Sequence, residues 1–275
     1  MSPVCLICLD PTRIEESGLL AHDLGLEFRV ESPVAADTSK REERRFYQAL
    51  LNDGAGVLLL KPEGLGLLAA PEDEALWIKA DFCDAGTRYR LAQGGGNEMI
   101  AKAVGLKGQP KPTVLDCTAG LGMDAYVLAA LGCEVTLLER NPIIHALLKD
   151  GIKRAQGVND PQVSTAIARM VLLEPGDAAA YLESRQGDVL ASVIYLDPMF
   201  PLRKKSAQVK KAMQVFHAIV GDDADAGALL PLALGAAGNR VVVKRPRHAP
   251  FLKGAPASHS VEGQRNRYDV YLKQG

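Results

Sequence analysis

Four carboxylates stand where apolar runs end. Asp116 closes "TVLD" (113–116), Glu139 closes "EVTLLE" (134–139), Asp177 follows "RMVLLE" within "EPGDA", and Asp197 closes "SVIYLD" (192–197). Gly120 and Gly122 lie in "DCTAGLGMDA" (116–125). Glycines at that spacing permit a tight turn and close approach of a ligand to the backbone, just before a helix N-terminus. Read as Gly-x-Gly-x-x-Ala, the turn also fits a dinucleotide fingerprint. Asp116 opposes that reading, because it would repel a pyrophosphate and attract a cation. S-adenosylmethionine carries both an ammonium and a sulfonium, and it fits. Glu139 follows Gly122 by 17 residues (139 minus 122), where a carboxylate can accept both hydroxyls of a ribose. Asp177 could meet an adenine amino group or cap a helix, and both roles stay open.

The fourth tip, "YLDPMFP" (195–201), joins a carboxylate to two prolines and an aromatic ring. Methyl transfer to an amino nitrogen is an in-line displacement that needs close, oriented reactants. An exocyclic base amine is a poor nucleophile, because its lone pair is delocalised into the ring. Asp197 and a loop carbonyl can accept its protons and so hold and polarise it. Pro198 fixes the backbone and removes a donor. Phe200 offers a stacking face for a base taken out of its helix, worth ~1–3 kcal/mol.

These residues need a scaffold that gathers strand ends. From Pro112 onward, near-continuous apolar strands alternate with helical patterns: strands at 113–116, 134–139, 169–174, 192–197, 240–244 and 267–272. Asn141 reads as an N-cap, with Pro142 at the first helical position. A basic helix is expected over 204–220. Such alternation predicts a doubly wound, Rossmann-like, mostly parallel sheet, which binds ligands at the carboxyl ends of its strands. The first 93 residues read as a small N-terminal α/β unit. In it "VCLICL" and "GVLLL" are buried strands, "SKREERRFYQALL" is a helix, and a hairpin turns near 70–73. The domain boundary is placed at residue 94.

The 275 residues are 47% apolar and 24% charged, with a net charge of −1. This is an ordinary globular composition, long enough to bury a sizeable core. No apolar run approaches a membrane span, and the N-terminus lacks signal-peptide features. Five cysteines, odd in number and mostly in apolar runs, suggest reduced thiols and a cytoplasmic protein. Cys5-x-x-Cys8 has no second ligand pair, so no metal is expected. The five histidines lack a nucleophile partner and read as structural or loop residues. Basic charge is concentrated late: residues 198–221 hold five Lys/Arg and no acid, and residues 239–275 hold eight against two. Arg203, Lys204, Lys205 and Lys210, with Lys244 and Arg245, are candidate contacts for a local anionic partner, RNA phosphates under the resemblance described next, which would be positioned without being read.

The segments "DCTAGLGMDAYVLAALGCEVTLLERNP", "YLDPMFPLRKKSAQVKKAMQVFHAIVG", "GGGNEMIAKAVGLKG", "VVVKRP" and "RYDVY" resemble the RsmJ family of bacterial small-subunit rRNA guanine-N2 methyltransferases. The resemblance runs from about Gly94 to the C-terminus and more loosely before it. It implies a class I methyltransferase domain over 94–275, S-adenosylmethionine as donor, and the guanine numbered 1516 in 16S rRNA as acceptor. Carried over by position, it implies donor contacts at Met123, Asp124, Glu139, Arg140, Gly176, Asp177 and Asp197. The chain departs from the pattern at Met123-Asp124, where Arg-Asp is usual, and at Gly176-Asp177, where a Ser pair is common. Other readings of the same residues are a methyltransferase for adenine or a protein glutamine, an NAD-dependent oxidoreductase, and a non-catalytic RNA-binding module. The expected partner is 16S rRNA or the small ribosomal subunit, with no membrane and no obligate protein partner.

Overall fold

The computed structural model describes residues 5–35, 37–51, 56–69, 76–84, 99–107, 110–198 and 226–273. Contacts divide the chain into two units: residues 1–80 with 146–151 and 201–222, and residues 81–145 with 152–200 and 223–275. The boundary expected at 93/94 and the basic helix expected over 204–220 lie outside the described residues.

In the first unit, strand β1 (Cys5–Cys8) leads through helix α1 (Ile14–Asp23) to β2 (Glu27–Val30). Helix α2 (Lys40–Leu50) begins at a capping box in which Ser39 and Glu42 satisfy each other's backbone N–H groups. Strands β3 (Val57–Lys61), β4 (Gly64–Ala69) and β5 (Leu76–Ile78) complete a sheet ordered β2-β1-β3-β4-β5. β1 is parallel to both neighbours, whereas β3, β4 and β5 run antiparallel in turn. Gly66 is required on β4, since a Cβ there would stand 2.1 Å from Trp77 Nε1. Cys5 and Cys8, three apart on one strand, are buried; Cys5 joins the apolar cluster with Ile7 and Leu59, and the Cys8 thiol donates to the Asp10 carbonyl.

The second unit opens with α3 (Met99–Val104), β6 (Thr113–Asp116), α4 (Met123–Ala130) and β7 (Glu134–Leu137). It continues with α5 (Pro142–Gln156), whose central residues 146–151 group with the first unit, then α6 (Pro161–Ile167), β8 (Met170–Leu172), α7 (Ala178–Ser184) and β9 (Ala191–Leu196). Helix α8 (Ala226–Ala236) and strands β10 (Ala237–Pro246), β11 (His259–Glu262) and β12 (Asn266–Leu272) follow. The sheet order is β11-β12-β10-β9-β6-β7-β8, parallel from β10 to β8, with β12 antiparallel to β10. Helices α6 and α8 and strand β11 escaped the sequence reading. α8 is apolar almost all round (AGALLPLALGA), so it shows no helical period to detect.

Strand alternation sorts the second unit's core. Leu115, Ile194, Leu196, Val241 and Val243 share one cluster with Leu229, Leu230 and Ala233 of α8. Burying each of these Leu, Ile and Val side chains stabilises by about 1.5–3 kcal/mol. Tyr195, Val242 and Lys244 alternate with those positions and therefore face the other side of the sheet. The chain leaves β6 for β7 and β8, then returns to the other flank of β6 at β9. That reversal opens a crevice at the strand ends, where ligands bind in open α/β sheets.

Candidate functional site

The glycine turn joins β6 to α4. Gly120 has φ 55° and Gly122 φ 76°, left-handed values that other residues adopt at a cost. Glu139, only 6% exposed, crosses from beyond β7 to hold this turn: Gly120 N donates to Oε2 and Asn141 N to Oε1, both at 2.8 Å. Asn141 in turn caps α5, its Oδ1 accepting from Ile143 N and Ile144 N. Gly176 N donates to the Glu139 carbonyl at 3.2 Å, which draws the third tip beside the second. Asp177 Oδ1 caps α7 by accepting from Ala180 N at 3.0 Å. The cap is thus present, and an adenine contact remains compatible with it.

Asp116 lies beneath the turn and is 2% exposed. Burial pushes its carboxyl up to about 8, against the opposing hydrogen bond from Thr118 N, and the Asp124, Asp197 and Glu139 charges add to the rise. Thr118 ties the two sides of the crevice together: its Oγ1 accepts from Asp197 N at 2.6 Å, and its N–H donates to Asp116 Oδ1 at 3.0 Å. Cys117 N donates to the Tyr195 carbonyl, extending the β6–β9 pairing to the tip.

On the far side, Asp124 in the first turn of α4 and Asp197 beyond β9 flank one cation. Lys244 Nζ stands 2.7 Å from Asp124 Oδ2 and 2.8 Å from Asp197 Oδ2. The Tyr195 hydroxyl donates to the same Asp124 oxygen at 2.6 Å. Burial, then Asp124 and Asp197, hold the Tyr195 phenol well above its ordinary pKa, so it stays a neutral donor. Burial pushes the Lys244 ammonium down, but Asp197 and Asp124 outweigh it and leave its pKa above the ordinary lysine value.

The structure therefore brings Asp116, Gly120, Gly122, Met123, Asp124, Glu139, Arg140, Gly176, Asp177, Asp197 and Pro198 to one end of the second unit's sheet. Phe200, Arg203, Lys204, Lys205 and Lys210 lie outside the described residues. Two expectations need correction. Lys244 is not an outlying phosphate contact, because its ammonium is engaged by two carboxylates inside the site. Arg245 is 4% exposed and donates to the Pro250 carbonyl, so its side chain shapes the loop after β10 instead of presenting charge. Alternation on β10 sends the two consecutive side chains to opposite faces of the sheet, Lys244 to the face of Tyr195 and Arg245 to the other. Arg267 is buried likewise, paired with Asp269 and donating to the Arg247 and Ala249 carbonyls. Sequence reasoning missed Thr118 and Tyr195 as site residues. The "DCT" and "YLD" strings name them, but only strand pairing shows what they touch.

The donor pocket fits a cationic ligand. Asp124, Glu139 and Asp197 outnumber Lys244, and the raised Asp116 carboxyl can ionise beside a bound cation. That negative excess disfavours a dinucleotide pyrophosphate. The SAM-dependent methyltransferase family model matches residues 44–273. A crystal structure of a SAM-dependent methyltransferase from Neisseria gonorrhoeae superposes with a TM-score of 0.68 at 34% identity, covering 98% of this chain and 96% of that one. Fold and site define a class I methyltransferase that uses S-adenosylmethionine. Proteins named Ribosomal RNA small subunit methyltransferase J are similar throughout: one from Pseudomonas paraeruginosa is 47% identical over 90% of this chain and 88% of its own, and one from Pseudomonas aeruginosa is 46% identical over 86% and 98%. The chain belongs to that family, the RsmJ methyltransferases.

Proposed function

We propose that the protein methylates the exocyclic N2 amine of a guanine in 16S rRNA, guanine 1516, with S-adenosylmethionine as donor. The observation that carries this is the Asp197 carboxylate, fixed through Thr118 and Lys244 beside a glycine turn whose acids suit a cationic donor. The relatives' name supports ribosomal RNA of the small subunit as the substrate. Substrate and compartment go together, so the reading places the protein in the cytoplasm.

Glu139 and the glycine turn would hold the donor's ribose, Asp116 its ammonium, and Asp177 its adenine, with Met123, Asp124, Arg140 and Gly176 completing the pocket. Bound there, S-adenosylmethionine supplies a methyl group on a positively charged sulfur. Asp197 accepts the amine's protons, orients its lone pair and draws electron density toward nitrogen. Pro198 contributes no N–H to compete for that carboxylate. Phe200 would stack the extruded guanine, and Arg203, Lys204, Lys205 and Lys210 would meet phosphates. No strong base is needed before attack, because the amine can lose its proton after methylation.

The test is transfer of labelled methyl groups to small subunits, or to 16S rRNA, from a strain lacking the protein, with mapping of the labelled base. Label at N2 of guanine 1516 is expected. Label confined to adenine, to another RNA or to protein would refute the proposed acceptor and leave the fold and donor standing.

A further inference from the structure

Lys244 is a candidate for neither donor binding nor base stacking, yet it occupies the centre of the acceptor side. Val242 of β10 pairs with Tyr195 of β9, and Val243 with Leu196. The next residues, Lys244 and Asp197, are therefore level on adjacent parallel strands. Alternation points Lys244 to the face on which Tyr195 meets α4. Backbone register alone thus delivers the ammonium to the place where Asp124 and Asp197 converge.

We propose that Lys244 is a positioning residue for methyl transfer, its ammonium locking the Asp197 carboxylate to Asp124 so that Asp197 meets the target amine in one orientation. The inference rests on the amine-methylation reading above and adds a role to a residue outside it. Three observations carry it. Oxygens of both carboxylates lie within 2.8 Å of one nitrogen, so the lysine spans them with two of its three donors. Asp124 is itself anchored, because the buried Tyr195 hydroxyl donates to the oxygen that Lys244 uses. The side chains of Lys244 and Asp124 are 20% and 25% exposed, so that pair is largely sheltered, while Asp197 at 38% keeps a face open toward a substrate. The chain of contacts runs from Tyr195 to Asp124 to Lys244 to Asp197, from a rigid strand through a helix N-terminus to the reacting tip. Two carboxylates about one ammonium also leave a net negative charge on that side, which suits a sulfonium facing it. A lysine so neutralised is a poor phosphate ligand.

Lys244→Met and Lys244→Arg test this with the full chain, using 16S rRNA, separate titrations of RNA and donor, and calorimetry for donor affinity. Lys244→Met is expected to lower kcat by about 10²-fold, as loss of reactant positioning does. Its KM for RNA and its donor affinity should stay within about threefold of wild type, since the lost interaction acts on the transition state. Lys244→Arg, which keeps the charge but spreads it over a planar fork, should regain about tenfold of that kcat. Unchanged kcat at saturating RNA, or a defect confined to KM and its salt dependence, would overturn the proposal in favour of a phosphate contact. If Lys244→Met does not fold, Lys244→Arg decides alone: a kcat about tenfold below wild type with unchanged KM supports the lock, and wild-type kcat overturns it. Wild type run alongside separates the two readings. A wild type that methylates no guanine amine fails the functional reading and takes this inference with it, whereas an active wild type beside an equally active Lys244→Met fails the inference alone.

Discussion

The two flanks of the crevice hold their carboxylates by different means. On the β6–β7–β8 flank the restraints are mainly backbone N–H groups: Gly120 and Asn141 on Glu139, Thr118 on Asp116, where its hydroxyl also donates, and Ala180 on Asp177. On the β9–β10 flank they are side chains: Lys244 and Tyr195 on Asp124, and Lys244 on Asp197. Backbone restraints come from turns and caps, which hold a shape whatever ligand is present. Side-chain restraints can carry charge and be tuned to a reaction. Under the proposed function the first flank would chiefly bind the donor, and Asp197 on the second would serve the reaction.

Removing a carboxylate from each flank should separate those roles. Asp197→Ala is expected to cost about 10²–10³-fold in turnover, by loss of the group that orients and polarises the amine. Donor affinity by calorimetry should fall far less. Near-normal turnover would remove Asp197 from the chemistry. Glu139→Gln should do the reverse. It weakens charge-assisted hydrogen bonds worth about 1.5–3 kcal/mol, so donor affinity should fall roughly 10–100-fold while kcat at saturating donor falls less. A Glu139→Gln enzyme that binds donor normally but turns over slowly would erase the division between flanks. Thr118→Val probes the joint between them. Its hydroxyl accepts the Asp197 N–H, and leaving that donor unpaired costs about 1–3 kcal/mol. A drop in melting temperature with roughly tenfold lower kcat is expected; a variant with wild-type kcat would show that the flanks act independently.

The same contrast decides what could be read from the chain. Gly120, Gly122, Glu139 and the Asn141-Pro142 cap lie within a short stretch, and their partners are local or one strand away. Turn and cap chemistry announces them by residue type. The parallel order of the central strands was legible for a similar reason, as buried strands alternating with helices have few arrangements. Lys244 has partners 120 and 47 residues away, at Asp124 and Asp197. Nothing local distinguishes a lysine in "VVVKRP" that will pair with acids at the strand tips from one that will face phosphates. Its meaning depends on the β9–β10 register, which strand patterns do not fix. Tyr195 was hidden in the same way, as one more apolar residue in a strand whose hydroxyl acquires a role only through α4.

Asp116 offers the smallest effect and tests the binding flank from within. Its folded carboxyl is raised to about 8 from an ordinary 3.8, chiefly by burial. In that window the folded protein keeps a proton that the unfolded chain has lost. This group therefore lowers the stability of the ligand-free protein as pH rises from about 4 to about 8, with no further loss above. Replacement by asparagine removes the titration, so Asp116→Asn should lose less stability than wild type between about pH 5 and pH 8 in thermal melts. A donor ammonium beside Asp116 would favour the ionised carboxyl, so binding near pH 7 should expel a proton. Calorimetry in two buffers of different ionisation enthalpy would read that proton directly. Wild type should release up to one proton more than Asp116→Asn, and its donor affinity relative to the variant should rise toward pH 8 by no more than about tenfold per unit. Equal proton release by both proteins would take the ammonium away from Asp116 and leave Glu139 and Asp177 as the carboxylates on that flank that meet the donor.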